Sequence, residues 1–71
     1  MIHGQILLTD ADFHNAALFG IAISVTQDGE HMGSGHILSQ SKHVVKMLDV
    51  YYFKDACVFT VCSAVLKNLN T

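Results

Sequence analysis

Ile21, Ile23 and Val25 alternate with Ala22, Ser24 and Thr26, and the pair Asp28-Gly29 follows shortly after. A period of two sends successive side chains to opposite faces, so this run reads as a half-buried strand. Asp-Gly supplies the positive-φ central residues of a tight hairpin, so the chain reverses there and pairs with what comes next. The following segments are "EHMGSGHILSQ", "KHVVKML", "VYYFKD" and "CVFTVCS". The last three are rich in β-branched and aromatic residues, which suit a pleated surface. Proline is absent throughout. Five short strands joined by minimal turns predict a small, strongly bent antiparallel barrel over residues 20–63.

Upstream of the strands the pattern is helical. Thr9 to Phe19 reads as a short helix, with Thr9 as N-cap and Asp10 and Asp12 placed where a helix N-terminus favours negative charge. Phe13, Ala16 and Ala17 share one face, and Gly20 ends the element. Residues 1–8, containing "GQILL", form an arm or a short strand. Residues 64–71 are a tail that reads as a final helical turn or a frayed end. The whole chain is one domain, since 71 residues leave no room for a second core.

Composition narrows the function classes. Half of the residues (51%) are hydrophobic and 14% are charged. So small a domain cannot bury all of that apolar surface, and exposed apolar patches mark interfaces, so self-association is expected. No apolar stretch reaches the roughly 20 residues of a membrane span, and no secretory signal pattern opens the chain. Cys57 and Cys62 lie five apart on one predicted strand and face opposite ways, so no intrachain disulfide is expected. Reduced thiols and the missing signal point to the cytoplasm. Four lysines and no arginine stand against six carboxylates, with a net charge of −2. A monomer with that balance lacks the basic footprint of a nucleic-acid binder, and only an assembly that concentrates the lysines would supply one.

The stretch "HMGSGH", His31 to His36, admits four readings. A phosphate loop would need a lysine and a following helix, and the third glycine of the dinucleotide fingerprint is missing. A nucleophile elbow needs Gly-x-Ser-x-Gly, whereas Gly33 and Gly35 adjoin Ser34 directly. A metal pair is disfavoured because His31 and His36, five apart on a strand, point to opposite faces. The remaining reading is mechanical: glycines inside a strand mark a bulge or a bend, and this strand curves to serve both sides of a barrel. No spacing joins Ser34, Cys57, Cys62 and the histidines into a dyad or triad, so an enzyme is not expected, nor a cofactor or metal. Met32, Met47 and Phe59 are expected in the core. Tyr51 and Tyr52 take opposite faces, one in the core and one outside.

With that strand bent, residues 21–63 resemble the Sm/LSm family in its bacterial Hfq-type form. "IAISV", the Asp28-Gly29 turn, Gly35, Ile37 and "HVVKM" follow the family's first motif. "FKDA" (Phe53 to Ala56) entering "CVFTV" is similar to its second motif, a Tyr-Lys-His-Ala segment. Asp55 stands where that motif has histidine, and the Gly29 to Gly35 spacing is one residue longer, which a bulge at Gly33 would absorb. The resemblance implies an N-terminal helix followed by five curved SH3-like strands. It also implies a homo-oligomeric ring in which the fourth strand of one subunit pairs with the fifth of the next. Single-stranded RNA, or another nucleic acid, would bind around the pore. His43 then occupies the base-stacking position, with Lys42 beside it and Lys54 from the second motif contacting phosphates.

Two readings of function stand side by side. One is a ring-forming RNA-binding protein in RNA processing or regulation. The other is a small oligomeric β-barrel assembly or adaptor protein without nucleic-acid binding. On the second, Lys42 and His43 are solvated turn residues, and Lys54 is a surface lysine neutralised by Asp55.

Overall fold

The computed structural model describes residues 1–62. Among these residues it is mostly β, with one short helix, α1 (Asp10–Leu18), and six strands. These are β1 (Ala22–Gln27), β2 (Glu30–His36), β3 (Ser39–Gln40), β4 (Val44–Met47), β5 (Val50–Phe53) and β6 (Val58–Val61). They form two antiparallel three-stranded sheets, ordered β2-β1-β6 and β3-β4-β5. The tail, 64–71, and Ser63 lie outside the described residues.

The helix forms where its end signals place it. The Thr9 hydroxyl accepts from the Asp12 N–H at 3.1 Å, while the Asp12 carboxylate accepts from the N–H groups of Thr9 and Leu8 at 3.0 and 2.9 Å. This reciprocal capping box satisfies backbone donors that a helix start otherwise leaves without partners. Phe13 and Ala16 are buried, Ala17 packs against the core, and Gly20 turns out of the helix at φ +63°. Beyond it, Ile23 and Val25 are fully buried on one face of β1, as their alternation requires. Asp28 and Gly29 both take positive φ, +53° and +81°, and close the β1–β2 hairpin.

The expected five-stranded, strongly bent barrel is corrected to six strands in two sheets among the described residues, which do not close into a barrel. The long bent second strand is interrupted at Ile37 and Leu38 and becomes β2 and β3. Gly35, at φ +152°, adopts a backbone conformation that L side chains rarely reach, just before the chain changes partners. His36 still pairs with Ala22 of β1, whereas the Leu38 N–H donates to Lys46 O of β4 at 2.9 Å. Ile37, between them, is buried in the core shared by the sheets. The sheets meet through Leu7, Phe13, Ile23, Val25, Ile37, Val45, Met47, Phe59 and Val61.

A bulge also changes the parity of the glycine-rich strand. Val25 pairs with Gly33 but Thr26 pairs with His31, so Met32 is the extra residue. Met32 is therefore exposed, contrary to the core position expected of it; Met47 and Phe59 are buried as expected. The same shift puts His31 and His36 on one face, opposite Thr26 and Ala22, and not on opposite faces. Their partners are four positions apart along β1, roughly 13 Å at strand rise, too far for one ion. No group of three metal-ligating side chains occurs among the described residues.

Candidate nucleic-acid interface

Lys42 and His43 sit in the three-residue connection between β3 and β4, which is closed by a Ser41 N–H to Val44 O bond of 2.8 Å. Both side chains are exposed. Lys54 follows β5 directly, and its N–H donates to His43 O at 2.8 Å. That bond continues the β4–β5 ladder beyond Val44 and Phe53 and ties the two connections together. Lys42 and Lys54 consequently line one cleft of about 270 Å³, with Asp10, Asp55, Phe13 and Cys57 among its walls.

The side chain of Lys54 is turned inward. It is 10% exposed, and its Nζ donates to Gln40 Oε1 at 2.7 Å and reaches Asp10 Oδ1 at 3.5 Å. It also lies 4.4 Å from the centroid of the Phe13 ring, where an ammonium is attracted by the ring face. The Lys54 ammonium therefore joins the start of α1 to β3. The surface lysine neutralised by Asp55 is corrected: its ion-pair partner is Asp10, 44 positions earlier in the chain. Gln40, Asp10 and Phe13 were not legible as its partners, because only the docking of α1 against the sheets brings them together.

The electrostatics of the cleft are balanced, with two lysines and two aspartates. Asp12, one turn into the helix, keeps its carboxyl below the ordinary aspartate value because the Leu8 and Thr9 N–H groups donate to the ionised form. Positive charge and an aromatic face available to an external ligand come from Lys42 and His43.

A second concave surface lies on the outer face of the β3-β4-β5 sheet, lined by Ser39, Ser41, Val44, Lys46, Tyr51 and Phe53. Tyr51 and Phe53 are each 62% exposed, and Lys46 Nζ lies 5.5 Å from the Tyr51 ring centroid. Tyr52 takes the inner face and meets Phe59 edge-on at a centroid distance of 6.4 Å. Cys57 and Cys62 are both free. No helix among the described residues is long and apolar enough to cross a membrane. Comparison with protein-family models, with curated proteins and with solved structures finds no match to this chain.

Proposed function

We propose that this chain is a non-catalytic Sm-like subunit that assembles into a ring and binds single-stranded RNA through Lys42 and His43, with Lys54 positioning the site. The observation that carries this reading is the hydrogen bond between Lys54 N–H and His43 O, which joins the two connections that the resemblance assigns to RNA. Further support comes from the strand path. The chain passes from β2 into β3 within two residues, so the path runs β6-β1-β2 and then β3-β4-β5, with β5 and β6 at its two ends. Those ends are the strands that the resemblance pairs between subunits.

The chemistry divides among the three residues. The exposed imidazole of His43 offers a π face to an unstacked base, and Lys42 offers a phosphate contact. Lys54 positions the site, since its ammonium is already engaged by Gln40 and Asp10. One subunit supplies little positive charge, so affinity depends on repetition around the ring.

Native mass spectrometry of the chain without ligand is the first test, followed by titration of single-stranded RNA at increasing salt. A discrete closed assembly whose RNA affinity falls with salt, and falls about tenfold or more in the double variant Lys42→Ala/His43→Ala, is the expected result. Unchanged binding in that variant sinks the site. The engagement of Lys54 by Asp10 favours a second reading, an oligomeric assembly or adaptor module without nucleic-acid binding; a closed assembly that ignores RNA even at low salt would select it.

A further inference from the structure

The outer edge of β6 is occupied by the chain's own N-terminal arm. Leu7 N–H donates to Phe59 O at 2.8 Å, Val61 N–H to Gln5 O at 2.7 Å, and Gly4 N–H to Val61 O at 2.8 Å. Ile6 and Thr60 pair across this antiparallel contact. A turn finishes the arm: Gln5 N–H donates to Ile2 O at 2.9 Å, and the Gln5 side chain accepts from Ile2 N–H at 3.1 Å. Gly4 holds this turn at φ +90°, a value that penalises a residue with a side chain. Only Leu7 of the arm is buried; Ile2, Ile6 and Leu8 are 74%, 48% and 79% exposed.

Among the described residues, the opposite end of the strand path is bare. β5 pairs with β4 alone, and its Val50, Tyr51 and Phe53 are exposed. β5 and β6 are each four residues long, and neither "VYYF" nor "VFTV" contains a charge or a proline. Natural edge strands use such residues to refuse an incoming strand, and these two have none.

We propose that the β6 edge is a docking edge for β5 of a second copy of this chain, and that residues 2–5 are the internal competitor which must leave before the second copy can pair, while Leu7 stays in the core. This rests on the ring reading above and adds to it what controls assembly. Gly4 and Gln5 and an incoming β5 need the same groups, Val61 N–H and Val61 O, so they exclude each other. Released, residues 2–5 give up two backbone hydrogen bonds to β6 that β5 replaces, and exposed apolar surface on β5 is buried in the exchange. Intramolecular pairing is independent of concentration whereas docking is not, so the arm sets a concentration threshold for assembly.

The test compares the full chain with a chain lacking residues 2–5, which keeps Leu7 in the core, by native mass spectrometry and sedimentation over a concentration series. Gly4→Val serves as a second variant that strains the turn while leaving every other arm residue in place. The expected result is half-assembly at a subunit concentration at least tenfold lower in the deletion, with a smaller shift in the same direction for Gly4→Val. Identical closed rings at identical concentrations in all three chains would overturn the competition and leave the ring intact. Monomers in all three, each folded by circular dichroism, would overturn both.

Discussion

The two sheets have the same number of strands and similar inward-facing residues, but they are finished differently. In the β2-β1-β6 sheet the inner face is closed by the opposing sheet and by Phe13 of α1 against Phe59, and the β6 edge is covered by the arm. In the β3-β4-β5 sheet Val45 and Met47 are as deeply buried as Ile23 and Val25, yet the β5 edge and outer face leave Val50, Tyr51 and Phe53 in solvent. The strands of the β3-β4-β5 sheet are the more apolar, with seven apolar residues of ten against seven of seventeen, yet they are the less covered. One sheet carries the stability of the isolated chain, and the other carries surface that the isolated chain leaves unused.

The sharpest way to break that comparison is to substitute one phenylalanine in each sheet. Phe59 is 1% exposed and meets the Phe13 ring edge-on at a centroid distance of 5.1 Å. Phe59→Ala is expected to cost about 3–5 kcal/mol in urea unfolding, most of the stability of a domain this size. Phe53→Ser is expected to stay within about 0.5 kcal/mol for the isolated chain. Equal losses would show that the open sheet is already in use.

The next effect concerns how the sheets touch. A Cβ built on Gly33 of β2 would lie 2.5 Å from the hydroxyl of Tyr52 on β5, and the Tyr52 ring is held against Phe59. Gly33→Ala should destabilise by about 1–3 kcal/mol through overpacking. Tyr52→Phe removes the clashing oxygen and should restore most of that loss, so a double-mutant cycle by chemical denaturation gives strong coupling. Additive losses would mean that the sheets do not meet there.

Smaller effects test the helix, whose Phe13 meets Phe59 of the covered sheet. Thr9→Ala removes the cap and is expected to cost about 1 kcal/mol. The lowered Asp12 carboxyl contributes stability above the ordinary aspartate value, and that contribution is lost as pH falls through its depressed folded value. Thermal midpoints should therefore drop on acidification, and Asp12→Asn should flatten that limb. The smallest expected change is a gain. Leu48, exposed in the two-residue turn between β4 and β5, sits at φ +54°, so Leu48→Gly should raise stability by about 0.5–1 kcal/mol. A loss would indicate that Leu48 packs against something in solution.

Much of the local structure was legible because its causes are local. Thr9 and Asp12 cap the helix within three residues of each other, Asp28-Gly29 makes its own turn, and the alternation at Ile23 and Val25 sets the buried face. Tyr51 and Tyr52 divide between the two faces for the same reason. The glycines of "HMGSGH" signalled both a bulge and a bend. Where the bulge falls was not legible: either Met32 or Gly33 can be the extra residue, and the pairing with β1 selects Met32. That choice exposes Met32, whereas a bulge at either residue moves His31 to the same face as His36. The candidate site was legible as residue types in turns, while the inward commitment of Lys54 was not.

Periodicity, capping and turn chemistry act over one to four residues, so the sequence alone determined the helix, the tight turns and the inward positions of Ile23, Val25, Met47 and Phe59. The tertiary structure alone decided three things: the docking of Asp10 and Phe13 onto Lys54, the replacement of the expected barrel by two sheets, and the seating of the arm on β6. Each depends on which distant segments meet. Backbone edges and long side chains accept many partners, and the packing of the whole chain selects among them.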